Sequence, residues 1–506
     1  MRKLTLAAMM AALAAGVAPG AITGVSAAEL RIALQDDPDV LDPDQSRTFV
    51  GRIVYAAVCD KLVDITPDLE IIPQLATAWN WSDDGLTLTM DLREGVTFHD
   101  GTAFDAEAVK ANIERSKTMP ESRRKSELSS IETTEVTGSH QVKFTLAAPD
   151  ATLIAQFADR AGMMLSPTAA AEKGVELGLQ PICSGPFKFV ERVQQDRIVL
   201  EKFADYWNAD AIHVDKVTYL PIPDTTVRLA NLRAGDLDLL ERLAAPDAAS
   251  VKADSSLKYA EAVSLGYQGI TINVANGEMA KNPLGEDPRV RQALELSIDR
   301  EALNQVVFEG AFNPGNQPYP ANSPWYDKNT PMPARDVEKA KALLKEAGHD
   351  KLEISVQVAN NPVQMQVMQV VQAMAAEAGF DVKIKATEFA SLLQAQSAGD
   401  YQGSQVGWSG RVDPDGNIHQ FMTCEGGIND SKYCNPEVDA LLNEARQSTD
   451  NAVRKVKYDE ARQILKNDLP IIYLYHPTWI WAMSSKVEGF TPYPDGMIRL
   501  ENVKVN

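Results

Sequence analysis

Signatures of catalysis are missing from this chain. It has no Gly-x-Ser-x-Gly elbow, no His-Glu-x-x-His pair and no Gly-x-x-x-x-Gly-Lys phosphate loop. Histidine is scarce, six residues scattered singly, and the four cysteines (Cys59, Cys183, Cys424, Cys434) are not spaced as zinc ligands. Neither a metal site nor a cofactor is therefore expected. Positive charge is in deficit, 49 Lys and Arg against 70 Asp and Glu. That balance argues against nucleic acid or an anionic membrane as partner. It does not require a cationic ligand, because solvated surface acids also keep a protein soluble. Beyond the first 28 residues no stretch approaches the ~20 apolar residues needed to span a bilayer. Internal repeats and low-complexity linkers are absent too.

The first 28 residues have the pattern of an export signal. Arg2 and Lys3 precede an apolar stretch from Leu4 to Val17, and Ser26-Ala27-Ala28 offers small residues for cleavage. No cysteine lies near that cut, so a lipid anchor is not expected. Cleavage near Ala28 removes two positive charges and takes the net charge from −21 to −23. The remaining ~480 residues exceed what one core usually organises, which predicts two or three domains.

Residues 75–110 are the most informative stretch. Trp79 and Trp81 lead to a turn at Asp83-Asp84-Gly85. Leu86, Leu88, Met90 and Leu92 then alternate with polar residues, the two-residue period of a half-buried strand. After a second turn at Asp100-Gly101, Asp105 can cap a helix carrying Ala106, Val109 and Ile113 on one face. Farther on, Leu352 to Val358 predict a strand. Asn361-Pro362 opens a helix closed by Gly379, and Val382 and Ile384 begin a further strand. That is a β-α-β unit with parallel strands. Asp287-Pro288, Asp299 and Asn435-Pro436 start other helices, and IIYLYHP and WIWAM look like strands.

The 75–110 run closely resembles the extracytoplasmic solute-binding proteins of ABC importers, in the family that includes dipeptide, oligopeptide and nickel binders. DPRVRQALELSIDREAL, CSGPFKFVE, VRLANLRAGDLDLLE, NPEVDALLNEA and LPIIYLYHP resemble its later segments in order. The resemblance implies an α/β fold of two hinged lobes, mixed sheets flanked by helices, with an extra subdomain in the first lobe. It places lobe I at 29–265 with the insert at 46–180, lobe II at 266–479, and a return to lobe I at 480–506. It also implies a disulfide between Cys424 and Cys434, worth about 3 kcal/mol by loop-closure entropy. Cys59 and Cys183 could be a second bridge or two buried thiols.

Within GWSGRVDPDGN (407–417), Pro and Gly interrupt any regular element and predict a loop. By the resemblance this loop lines the cleft, with Trp408, Ser409, Arg411 and Asp413 as ligand-binding candidates. Peptide-binding members place an acid where Arg411 stands, and some dipeptide binders place an arginine where Asn361 stands. Both departures bear on how ligand termini are read. Arg411 could receive an anionic group, or could be tied internally to Asp413 or Asp415. Phe49 and Arg47 lie in the loop after LDPDQ, which faces the cleft in relatives, and are further candidates for ligand contact. His99 is expected to satisfy backbone groups, and His419 lacks a second metal ligand nearby. Met365, Met368 and Met374 read as core packing.

The resemblance thus implies a monomeric periplasmic binder, without enzymatic activity, that delivers short peptides to ABC permease subunits with their cytoplasmic ATPases. A non-peptide acid (opine-like or a metal chelate) or an oligosaccharide is the alternative ligand. A secreted hydrolase, or an exported chaperone or receptor, is the alternative from another class.

Overall fold

The computed structural model describes residues 28–506; the leader expected over 1–28 lies outside the described residues apart from Ala28. Two sheets organise the chain. The first holds seven strands in the order Leu257–Val263, Thr478–Ser484, Leu239–Leu240, Glu29–Leu34, Lys216–Pro221, Arg197–Lys202, Phe187–Val193. The second holds six, in the order Asn313–Pro314, Ile471–His476, Tyr267–Ile272, Gly403–Trp408, Leu352–Ala359, Phe380–Thr387. Each sheet has its own apolar core, one built around Ile32, Ile53 and Trp481, the other around Ile270, Val356 and Ile472. A four-stranded antiparallel sheet, Ala76–Trp81, Thr87–Leu92, Gln141–Leu146 and Ile131–Gly138, packs with the helix Ala106–Thr118 around a third core. The fold is two-lobed.

Local chemistry explains the elements. Leu88, Met90 and Leu92 are buried while Thr87, Thr89 and Asp91 are not, as the alternation requires. Asp105 accepts a hydrogen bond from Ala108 N at 2.9 Å and caps its helix. The strands Leu352–Ala359 and Phe380–Thr387 pair in parallel across the helix Pro362–Glu377. Met368 is buried in that helix's core face, with Met365 packed against the same core. Cys424–Cys434 are bonded, and so are Cys59–Cys183. The latter closes a loop of 124 residues, a constraint on the unfolded chain of about 5 kcal/mol.

The chain passes between the lobes at Ser264–Gly266 and again at Pro477. Thr478–Ser484 already pairs in the first sheet, so the return begins two residues before the expected 480. Ser264 N donates to Pro477 O at 3.2 Å, tying the two crossings together. His476 Nδ1 donates to Gly266 O at 2.8 Å, and burial pushes this imidazole down to about 4, so it is neutral. A side chain at Gly266 would meet the Trp408 carbonyl oxygen at 1.9 Å. Only glycine lets the hinge pass this close to the cleft loop.

Candidate functional site

A cavity opens between the lobes, walled by both. Lobe I contributes Gln35, Asp36, Arg47, Phe49, Arg124, Arg160, Arg242 and Trp479. Phe49 begins the helix Phe49–Val58, which Thr48 caps by accepting from Gly51 N. Its ring lies parallel to that of Trp479 with centroids 4.7 Å apart. Gly496, at φ 75°, leaves room for the stack, since a Cβ there would lie 2.8 Å from both rings. Arg242 sits over the same pair, 4.7 Å from the Phe49 centroid and 5.1 Å from that of Trp479. Its own backbone is left-handed, at φ 52°. Such a conformation is uncommon for a non-glycine residue.

Lobe II presents amides and aromatic faces. Gln405 Nε2 donates to Gln364 Oε1 at 2.7 Å and to Gln268 Oε1 at 3.2 Å. Gly407 accommodates this arrangement, because a Cβ there would collide with Gln268 Nε2 at 2.0 Å. Asn361 caps the helix Pro362–Glu377 with its carbonyl oxygen, leaving Nδ2 buried, unpartnered and on the cavity wall. A free donor beside a helix N-terminus suits a carboxylate or carbonyl group. Trp408 ends its strand on the wall, with Nε1 donating to Asn417 Oδ1 at 2.9 Å. Ser409, also on the wall, accepts from Arg52 Nη1 at 2.9 Å across the lobe boundary.

Trp408, Ser409, Asn361 and Phe49 therefore come together around one cavity. Arg411 and Asp413 do not join them. The buried Arg411 guanidinium stacks 4.0 Å over the Trp408 ring and pairs with Asp159 of lobe I. Its sequence neighbours have other partners: Asp413 binds Arg454 at 2.5 and 2.9 Å, and Asp415 binds Arg446 at 2.5 Å. The expected ligand contacts of Arg411 and Asp413 are thus replaced by ion pairs, and Arg411 is not tied to Asp413 or Asp415 either, though its Nη1 also donates to Gly410 O of its own loop at 2.8 Å. Burial favours this outcome, since an unpaired charge at these positions would be strongly penalised. His99 does satisfy backbone groups, with Nε2 2.9 Å from Gly185 O. His419 Nε2 lies 2.9 Å from Asn443 Oδ1, and no cluster of three or more metal-ligating side chains occurs among the described residues.

Sequence reasoning named Arg47 but passed over the other charged groups of the wall. Arg52, Arg124, Arg160 and Arg411 gather around Asp159 and Glu127, with Arg52 and Arg411 paired to Asp159 and Arg124 to Glu127. Asp159 is held well below the usual carboxylate range by Arg411 and Arg52 despite its burial. Burial and the neighbouring Arg124 push Arg160 down to about 10. Arg124 and Arg160 both reach the cavity, and the Nε of each is buried without a partner. Asp36 faces the same space, accepting from Gln35 Nε2 at 3.3 Å and with no ion-pair partner within 4 Å among the described residues, and burial raises its carboxyl to about 6 against the pull of Arg242. Arg47 reaches across the cavity to Asp430 at 2.5 Å and to Ser397 Oγ at 2.5 Å, holding the lobes together. Nothing in the residues flanking Asp36, Arg124 or Arg160 marks them out in one dimension.

A hinged pair of lobes with a walled cavity between them is the architecture of solute capture, and the comparisons agree. The model for "Bacterial extracellular solute-binding proteins, family 5 Middle" matches residues 70–429. The chain belongs to this family. It is thus a solute-binding protein of the kind that serves ABC importers. The glutathione-binding protein GsiB of Pectobacterium atrosepticum is 31% identical over 481 residues, covering 91% of each chain. A dipeptide-binding protein from Pseudoalteromonas sp. SM9913, solved with Met-Leu, superposes with a TM-score of 0.88 at 25% identity, over 94% of this chain and 100% of that one. The binding protein AgaA of A. tumefaciens R10, solved with agropinic acid, superposes with a TM-score of 0.86 at 27% identity, over 94% and 99%.

Proposed function

We propose that this protein captures short, acid-bearing peptides of the glutathione class in the interlobe cavity and delivers them unchanged to a membrane permease. The observation that carries the ligand class is the pair Arg124 and Arg160, buried on the wall with unpartnered Nε donors and too few carboxylates around them. Ligand carboxylates are the natural complement, since charge-assisted hydrogen bonds to guanidinium are strong where water is excluded. Asp36 is suited to a ligand ammonium, and Asn361 Nδ2 to a second carboxylate or a peptide carbonyl. Trp408 and the Phe49–Trp479 stack supply apolar contact at about 25 cal/mol per Å² buried. Similarity to GsiB supports the same ligand class.

Export follows from the Ser26-Ala27-Ala28 pattern, so the working compartment is the periplasm, and cognate permease and ATPase subunits complete the importer. The units are lobe I at 29–265 with the insert 46–180, lobe II at 266–479 and the tail 480–506, allowing for the two-residue earlier crossing. Ligand bound preferentially by the closed form shifts the population toward it by that difference in affinity. Calorimetry with glutathione and with short peptides of varied charge is the test. One-to-one saturable binding, strongest for acid-bearing peptides and with the ligand recovered intact, is expected. Preference for neutral peptides overturns the ligand class, and product formation overturns the binder. The same arginines favour a second reading, a non-peptide polyacid, which would outcompete every peptide in that experiment.

A further inference from the structure

The loop closed by Cys424–Cys434 belongs to lobe II, yet it meets lobe I directly. Its chain reversal is fixed from inside as well as by the bridge, since Asn429 Nδ2 donates to Thr423 O at 2.9 Å and to Tyr433 O at 2.6 Å. Cys424 N donates to Asp439 Oδ1 at 2.8 Å, which anchors the loop to the helix Pro436–Gln447. From this frame Gly427 N reaches across to Ser126 Oγ at 3.2 Å, and Asp430 carries the ion pair with Arg47. Near the end of the same helix Arg446 Nη1 donates to Ser126 O at 3.0 Å, and Arg446 O accepts from Ala151 N at 3.0 Å. Arg47, Ser126 and Ala151 all fall within 46–180, the stretch that carries the four-stranded sheet.

Close approach at Gly427 leaves no room for a side chain. A Cβ there would lie 2.7 Å from Ser126 Oγ and 3.1 Å from Arg123 O, and the next atom, at 3.8 Å, is Ser126 Cβ. All three atoms are in lobe I. Gly427 is not in the left-handed region, so glycine serves here as space across the lobe boundary and not as a turn. We propose that the stapled loop is a latch for the closed form: Gly427 and Asp430 are positioning residues that grip lobe I, and the Cys424–Cys434 bridge pre-organises that grip. A loop already fixed before contact loses little conformational freedom on making it, so the bridge favours closure as well as folding. This rests on capture by hinged lobes and holds whichever solute the cavity takes.

Amide hydrogen exchange on the full mature chain, with and without glutathione, tests it. The Ala151 N–H reports closure, because its acceptor lies on the opposite lobe, while Ile270 and Val356 in the lobe II sheet report the fold. Gly427→Ala should wedge the lobes apart and speed exchange at Ala151 roughly tenfold or more, leaving Ile270 and Val356 at wild-type rates. Cys424→Ser with Cys434→Ser should do the same. Combining the changes should add little, since both release one grip. Ala151 unaffected by either change, or losses that multiply when the two are combined, overturn the proposal. So does fast exchange at Ala151 in the unaltered protein under both conditions. If the serine pair unfolds lobe II, Gly427→Ala decides alone. Glutathione that leaves every rate unchanged counts against the peptide reading and not against the latch, which the comparison without solute still judges.

Discussion

The two jaws of the cavity differ in kind. Lobe I lines it with four arginines, one aspartate and an aromatic stack, whereas lobe II lines it with amides, Trp408 and a single carboxylate, Asp430, which Arg47 already occupies. A charged jaw opposes a neutral, hydrogen-bonding one. On the proposed reading the charged jaw acts at longer range and selects the ligand's charge, because Coulomb attraction falls off slowly compared with a hydrogen bond. Amides act only at contact and require direction, so on the same reading the neutral jaw selects shape. The protein as a whole is strongly acidic, yet its cavity carries a positive excess. Net charge therefore says little about the ligand here.

This contrast can be broken by substitution. Arg124→Ala with Arg160→Ala should cost the most, roughly a hundredfold or more in affinity for an acidic peptide by calorimetry, since each removes a charge-assisted contact of about 1.5–3 kcal/mol. Affinity for a neutral peptide should change far less. Arg411→Ala comes next. It leaves Asp159 short of a cation only when the lobes are shut, so the closed fraction seen by small-angle scattering should drop and affinity should fall roughly thirtyfold, part of the 3–5 kcal/mol cost of breaking a buried pair. Trp408→Ala should weaken binding roughly tenfold, as for truncating an interface anchor, and should also lower the melting temperature because the ring packs against Phe421 in a buried cluster.

Acid should act through Asp36, the cavity carboxylate that has no ion pair among the described residues. Asp36 has its proton affinity raised to about 6, and a ligand ammonium binds only its ionised form. Affinity for an amine-bearing ligand should hold above that value and fall by about tenfold for each pH unit well below it, one proton being taken up. Asp36→Asn should flatten the profile. The smallest effect belongs to the neutral jaw: Gln268→Ala should cost about fivefold, the worth of one neutral hydrogen bond of about 1 kcal/mol. If Gln268→Ala proves costlier than the arginine pair, the division of labour between the jaws is wrong.

The elements were largely legible in the sequence. Asp105, Asp287, Asp299, Asn361 and Asn435 mark helix starts that their side chains do cap, at Ala106, Pro288, Arg300, Pro362 and Pro436. The loop expected over 407–417 was legible only in part, because its first two residues end the strand Gly403–Trp408, which no sequence signal announced and which delivers Trp408 to the wall. Its partners were not legible. Arg411 finds Asp159, while the nearer Asp413 and Asp415 turn to Arg454 and Arg446. Proximity along the chain predicted one pairing, and packing chose another. Asp36, Arg124 and Arg160 gave no warning, because a charged residue on a cleft wall has the same local neighbours as one on any surface.

Periodicity, caps, turns and cysteines act within a few residues, so the chain alone determined its helices, its strands, the β-α-β unit and, through these in order, its family. Which charges meet which was decided only in three dimensions. The energy of a buried ion depends on every group that replaces its water, and those groups come from distant parts of the chain. For the same reason the folded cavity, and not composition, fixed the sign of the charge this acidic protein presents to its guest.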